Sequence, residues 1–215
     1  MERRAVLFDM DGVIFDSERL YIECCEEAAA GLGMENIAAV CRRCIGVTTE
    51  VTYQILLDAY RDRALVDRFR SLAVSLFLEK YRAGQLEMKP GVRELLFRLK
   101  DSGVKTAVAS STRTEIVKRE LDEAGLLSFF DAVVGGDKVS RSKPAPDIFL
   151  MAAECLGERP ERCIVIEDSF NGIRAAKAAG MTAVMVPDLL EPDDEIRGLA
   201  DAIVPSLFEA ADLLV

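Results

Sequence analysis

The chain has 215 residues, half of them hydrophobic, with 37 acidic against 27 basic side chains and a net charge of −10. Such a field excludes general binding to nucleic acid or to an anionic membrane, both of which need a basic surface. Histidine is absent, which excludes Ser-His-Asp and Cys-His catalysis and any His-ligated metal. Chemistry near neutral pH therefore rests on carboxylates, lysine, cysteine, tyrosine or a metal ion.

The first element is a strand at Ala5 to Phe8, four apolar residues in a row, as expected for a strand buried on both faces of a parallel sheet. It ends in Asp9-Met10-Asp11-Gly12-Val13. Asp16-Ser17-Glu18 signals a helix start, and Tyr21 to Leu32 reads as that helix, ended by glycine. Helices follow at 36–43, 49–59 and 62–82 with no strand pattern between them. The last is amphipathic, its apolar positions being Leu65, Phe69, Leu72, Val74, Leu76 and Phe77. No apolar run approaches the ~18 residues of a membrane span, and the longest candidate, Leu72 to Leu78, contains serine.

From Pro90-Gly91 onward, helix and apolar strand alternate. Helices are predicted at Val92 to Lys100, Arg113 to Ala124, Pro146 to Leu156, Ser169 to Ala179 and 206–214. Strands are predicted at Val104 to Ala109, Ala132 to Val134, Cys163 to Ile166, Thr182 to Val186 and, more weakly, Ala202 to Val204. This alternation predicts an α/β fold, a Rossmann-like doubly wound parallel sheet. The long gap between the first and second strands is explained by a small all-α domain inserted after strand one. The expected division is a core of 1–16 and 87–215 and a helical cap of 17–86. A first strand starting this early leaves no room for a signal peptide, so a cytoplasmic monomer is expected.

The C-terminal ends of such strands converge on one crevice. The first delivers Asp9 and Asp11, and the second delivers Ser110, Ser111 and Thr112. The fourth delivers Glu167 and Asp168, while the loop after the third carries Ser142-Lys143-Pro144. Taken singly, each has a plain explanation as a cap, a turn or a surface lysine. Together they suit Mg2+ held by oxygen ligands and a phosphate held by hydroxyl, backbone N–H and ammonium. Cys24, Cys25, Cys41 and Cys44 include a Cys-x-x-Cys spacing. They read as reduced, partly buried thiols rather than a zinc site, because adjacent ligands on a helix diverge and no knuckle glycine lies between Cys41 and Cys44.

These motifs resemble the haloacid dehalogenase-like superfamily. Asp9-Met10-Asp11-Gly12-Val13 is similar to its first motif and Ala109-Ser110-Ser111 to its second. Ser142-Lys143-Pro144-Ala145-Pro146-Asp147 is similar to its third, and Ile166-Glu167-Asp168-Ser169 with Asn171-Gly172 to its fourth. The helical insertion resembles the cap of the β-phosphoglucomutase-like branch. The resemblance implies that Asp9 is a nucleophile forming an aspartyl-phosphate, and that Asp11 is the acid for the leaving oxygen and then the base for water. It implies Mg2+ bound by Asp9, the Asp11 carbonyl and Asp168 with Glu167 close by, and phosphoryl oxygens held by Ser110, Ser111 and Lys143.

Dehalogenases of this superfamily lack the second aspartate, so Asp11 favours phosphoryl chemistry. The mutase of the branch uses a histidine where this chain has Tyr21, and a cap arginine where Gly46-Val47-Thr48-Thr49 stands. The expectation is therefore Mg2+-dependent hydrolysis of a small phosphomonoester, with Glu18, Gly46 and Thr49 facing the leaving group. A phosphosugar mutase, with Arg42 or Arg43 gripping a second anion, and a non-catalytic phospholigand-binding protein remain the alternatives.

Overall fold

The computed structural model describes residues 5–45 and 49–214. They form two compact units, Met1–Phe15 with Met88–Val215 and, separately, Asp16–Glu87. In chain order, β1 (Ala5–Phe8) is followed by α1 (Ser17–Leu32), α2 (Ile37–Arg42), α3 (Thr49–Tyr60) and α4 (Arg63–Arg82). Then come α5 (Val92–Asp101), β2 (Lys105–Ser110), α6 (Thr114–Glu123), β3 (Ala132–Gly135), α7 (Asp147–Leu156) and β4 (Cys163–Glu167). The chain finishes with α8 (Phe170–Ala178), β5 (Thr182–Met185), α9 (Asp194–Leu199), β6 (Ala202–Ile203) and α10 (Leu207–Leu214).

The larger unit is a Rossmann-like α/β fold. All six strands pair in parallel, in the order β3-β2-β1-β4-β5-β6. Every residue of β1 is buried, because a central strand with helices on both faces has no polar side to offer. Phe8 stands opposite Val108 on one side and Ile166 on the other. The strand order reverses at β1, so the residues just past its end lie at the switch point where such sheets bind ligands. Ser110 and Glu167, the last residues of β2 and β4, emerge at that same edge. Beneath them Leu7, Ala107, Val165, Phe149 and Ala152 pack into one continuous core.

The helical unit closes around its own core of Cys25, Ala28, Met34, Ile37, Val66 and Phe69. On α4 the buried residues are Val66, Phe69 and Ala73, spaced as one stripe of a helix. Leu72 and Val74, expected on that stripe, are 37% and 47% exposed, since they fall outside the arc those three positions sweep. Cys24, Cys25 and Cys41 are buried and Cys44 half-buried, all as free thiols. Cys25 hydrogen-bonds both Cys41 and the Tyr21 hydroxyl, inside the packed helices. Among the described residues no helix is long and apolar enough to cross a membrane.

The sequence reading missed α9. Its six residues bury only Ile196, too few apolar positions to show a period. The signal present is its cap: the Asp193 carboxylate accepts from Ile196 N at 2.8 Å, as a helix N-cap does. Helix α1 begins at Ser17, within the Asp16-Ser17-Glu18 start signal.

Candidate active site

The β1 ladder runs one residue past the strand, with Asp9 N donating to Ile166 O at 3.0 Å. The Asp9 carboxylate therefore rises from backbone fixed by the sheet. A tight turn follows, in which Ile14 N and Phe15 N donate to Met10 O at 2.8 and 3.1 Å and Gly12 N donates to Phe15 O at 2.9 Å. Gly12 has φ of 79°, a region open to glycine at little cost. A Cβ there would lie 2.3 Å from Asp168 Oδ2. The missing side chain is what lets Asp168 sit against the first loop.

Lys143 comes from the loop before α7, and its side chain is 8% exposed. Its three ammonium hydrogens meet three oxygens: Asp9 Oδ1 at 2.5 Å, Glu167 Oε1 at 2.7 Å and Ala109 O at 3.2 Å. The Phe149 ring lies 4.9 Å from Nζ, within cation–π range. Burial alone would lower the lysine pKa, but Asp9 and Glu167 together outweigh it and hold the ammonium above its ordinary value. For Asp9, burial pushes the carboxyl up and Lys143 pulls it back. The charges of Glu167 and Asp11 then raise it again, to about 7.

Glu167 is fully buried and both its oxygens are engaged. Oε1 takes the lysine, while Oε2 accepts from Ser169 N at 2.8 Å and Ser169 Oγ at 2.9 Å. Ser169 also caps α8, its Oγ accepting from Gly172 N at 3.0 Å. A Cβ on Gly172 would fall 1.8 Å from the Glu167 carboxyl carbon. Gly172 thus reads as room made for a buried glutamate.

Asp9, Glu167 and Asp168 are all buried, and an oxygen of each lies within 4.8 Å of the others. Three carboxylates around one ammonium leave excess negative charge in a site with little water, and hard oxygen donors are what Mg2+ takes. The residues fit that ion.

Ser110 is fully buried. Its Oγ accepts from Thr112 N at 3.0 Å and donates to Asp11 Oδ2 at a long 3.4 Å. Thr112 Oγ1 donates to the same Asp11 oxygen at 3.1 Å. Ser111 is exposed, and the second hydroxyl that reaches Asp11 belongs to Thr112. Asp9, Asp11, Ser110, Lys143, Glu167 and Asp168 are thus brought to one edge of the sheet. Glu18 lies in the first turn of α1 and Thr49 opens α3. Gly46 lies outside the described residues. Phe149 and Ser169 were missed as contributors: Phe149 carries no signal beyond helical periodicity, whereas a serine next to the acids at a helix start is a signal for an N-cap.

A parallel α/β sheet with a buried acidic cluster at its switch point has the layout of an α/β enzyme. The chain belongs to the haloacid dehalogenase-like hydrolases, whose family model matches residues 6–186. It is 36% identical over 182 residues to the phosphorylated carbohydrates phosphatase of Thermotoga maritima, covering 84% of this chain and 83% of that protein. It is 33% identical over 222 residues to hexitol phosphatase B of Escherichia coli, covering 98% and 96%. The crystal structure of a β-phosphoglucomutase from Clostridium difficile superposes with a TM-score of 0.76 at 25% identity, covering 100% of this chain and 97% of that one.

Proposed function

We propose that this chain is a Mg2+-dependent phosphatase acting on small phosphomonoesters, phosphorylated sugars and sugar alcohols foremost, through an aspartyl-phosphate on Asp9. The observation that supports this most directly is the buried Lys143 ammonium shared by Asp9 and Glu167. It neutralises charge where an anionic nucleophile must approach an anionic phosphate, and phosphoryl transfer asks for little beyond positioning and such neutralisation.

In this reading Asp9 attacks phosphorus as the ester P–O bond breaks, and Asp11 gives a proton to the departing alkoxide. Asp11 then takes a proton from water, which attacks the aspartyl-phosphate, releases phosphate and restores the Asp9 carboxylate. Ser110 and Lys143 hold the phosphoryl oxygens, and Thr112 orients Asp11. Asp9 and Asp168, with the Asp11 carbonyl, would hold Mg2+, and Glu167 would stand behind them steering Lys143. When bound, the ion supplies further neutralisation of phosphoryl charge. The unit Asp16–Glu87 is read as the cap that selects the leaving group, with Glu18, Gly46 and Thr49 as its substrate-side residues.

The relatives named as phosphatases act on phosphorylated carbohydrates and hexitols by their descriptions, which sets the substrate panel to try first. The fold is shared with a mutase, and against that activity stands Tyr21, where the mutase of the branch uses a histidine. The test is release of inorganic phosphate from sugar, hexitol and nucleotide monophosphates, with Mg2+ and with EDTA. Hydrolysis that needs Mg2+ and is lost in Asp9→Asn supports the proposal. Isomerised sugar phosphate in place of free phosphate would instead assign the mutase, and binding without turnover would assign a phospholigand-binding protein.

A further inference from the structure

One more carboxylate stands at the strand ends, and no motif marks it. β5 ends at Met185, and Val186 N donates to Glu167 O at 2.8 Å. That bond carries the ladder past the strand and brings the following Pro187-Asp188 alongside Asp168. The Asp188 side chain is 4% exposed. Its Oδ1 accepts from Lys89 Nζ at 2.6 Å. Its Oδ2 is buried with no hydrogen-bond partner among the described residues. An oxygen of Asp188 and an oxygen of Asp168 lie within 4.8 Å of each other.

A buried acceptor without a donor is costly, and Asp168, itself a carboxylate, cannot supply one. Two buried like charges at this spacing call for something between them that either donates or is positive. Lys89 already balances the charge of Asp188 through Oδ1, so what Oδ2 needs is a donor and not a second lysine. Mg2+ sheds its hydration reluctantly and keeps several waters when bound by a few carboxylates. Those waters are polarised donors in search of acceptors.

We infer that Asp188, anchored by Lys89, is a positioning residue of the cation site: it accepts a hydrogen bond from a water on the Mg2+ that Asp9 and Asp168 would hold. The inference rests on the Mg2+ reading above. Partners that hold the immediate surroundings of a metal in place usually change its affinity by 10–100-fold when removed. A purely structural Lys89–Asp188 pair would affect unfolding and leave Mg2+ affinity alone.

The test is calorimetric titration of Mg2+ into wild type, Asp188→Asn, and the double variant Lys89→Met with Asp188→Ala. Folding of each is checked by thermal unfolding in EDTA. The double variant leaves no unpaired buried charge, so it stays informative if Asp188→Asn fails to fold. We expect Mg2+ binding weakened by about 10–100-fold in each folded variant. A folded variant that binds Mg2+ as tightly as wild type overturns the role of Asp188 while leaving the cation site standing. Absence of Mg2+ binding in wild type overturns the cation site and this inference with it.

Discussion

At the scale of single residues, Lys143 is the hub, since its ammonium is the positive charge shared by Asp9 and Glu167. Removing one partner from a buried ion pair leaves the others desolvated and uncompensated, at a cost of about 3–5 kcal/mol. Lys143→Met is expected to lower stability by that order in urea unfolding and to abolish turnover. Glu120 carries a second consequence. It lies buried on α6, where burial, together with the charge of Asp11, pushes its carboxyl from 4.5 up to about 7. Between those values the native state keeps a proton that the unfolded chain has lost, so stability falls as pH rises across that window. Glu120→Gln removes this loss. Its melting temperature should exceed wild type by several degrees at pH 8, reflecting at most about 3 kcal/mol, and should match wild type near pH 4.5. Equal melting curves at both pH values would contradict the assignment.

At the scale of elements, the turn between β4 and α8 couples folding to chemistry. Ser169 caps the helix and holds Glu167 with the same hydroxyl, and Gly172 leaves the space Glu167 fills. Gly172→Ala would favour the helix at an exposed position, but Gly172 is buried, so the change is expected to be destabilising and to cost most of the activity, because the added methyl displaces Glu167 and with it Lys143. Unchanged unfolding and turnover would show that the close approach is unimportant.

The elements also show what the chain could reveal before folding. Strand ends carrying Asp9, Ser110 and Glu167 were legible because long apolar runs stop abruptly at polar residues. Lys143 was legible only in concert with them, since nothing local separates it from a surface lysine. That the Thr112 hydroxyl reaches Asp11 depends on how the chain leaves β2, which the run Ser110-Ser111-Thr112 does not itself specify. Phe149 beneath the ammonium depends on how the loop bearing Lys143 runs into α7, and Asp188 beside Asp168 on the pairing of β4 with β5. Local pattern carries no trace of such contacts.

At the scale of the whole molecule, a net charge of −10 and an anionic substrate pull in opposite directions. In the proposed reading the conflict is met locally, by Lys143 among the acids at the sheet's switch point and by the Mg2+ those acids would hold. Mg2+ should therefore stabilise the native state by mass action. The melting temperature should climb with Mg2+ in wild type and much less in Asp168→Asn; a parallel climb in both would place the ion elsewhere. The most direct test of the central claim is acid quenching of the enzyme during turnover of a sugar phosphate, followed by mass spectrometry of its peptides. The account predicts a hydroxylamine-labile phosphoryl group on the peptide bearing Asp9, absent from Asp9→Asn. A phosphoryl group on a different residue, or hydrolysis that persists in Asp9→Asn, would contradict it.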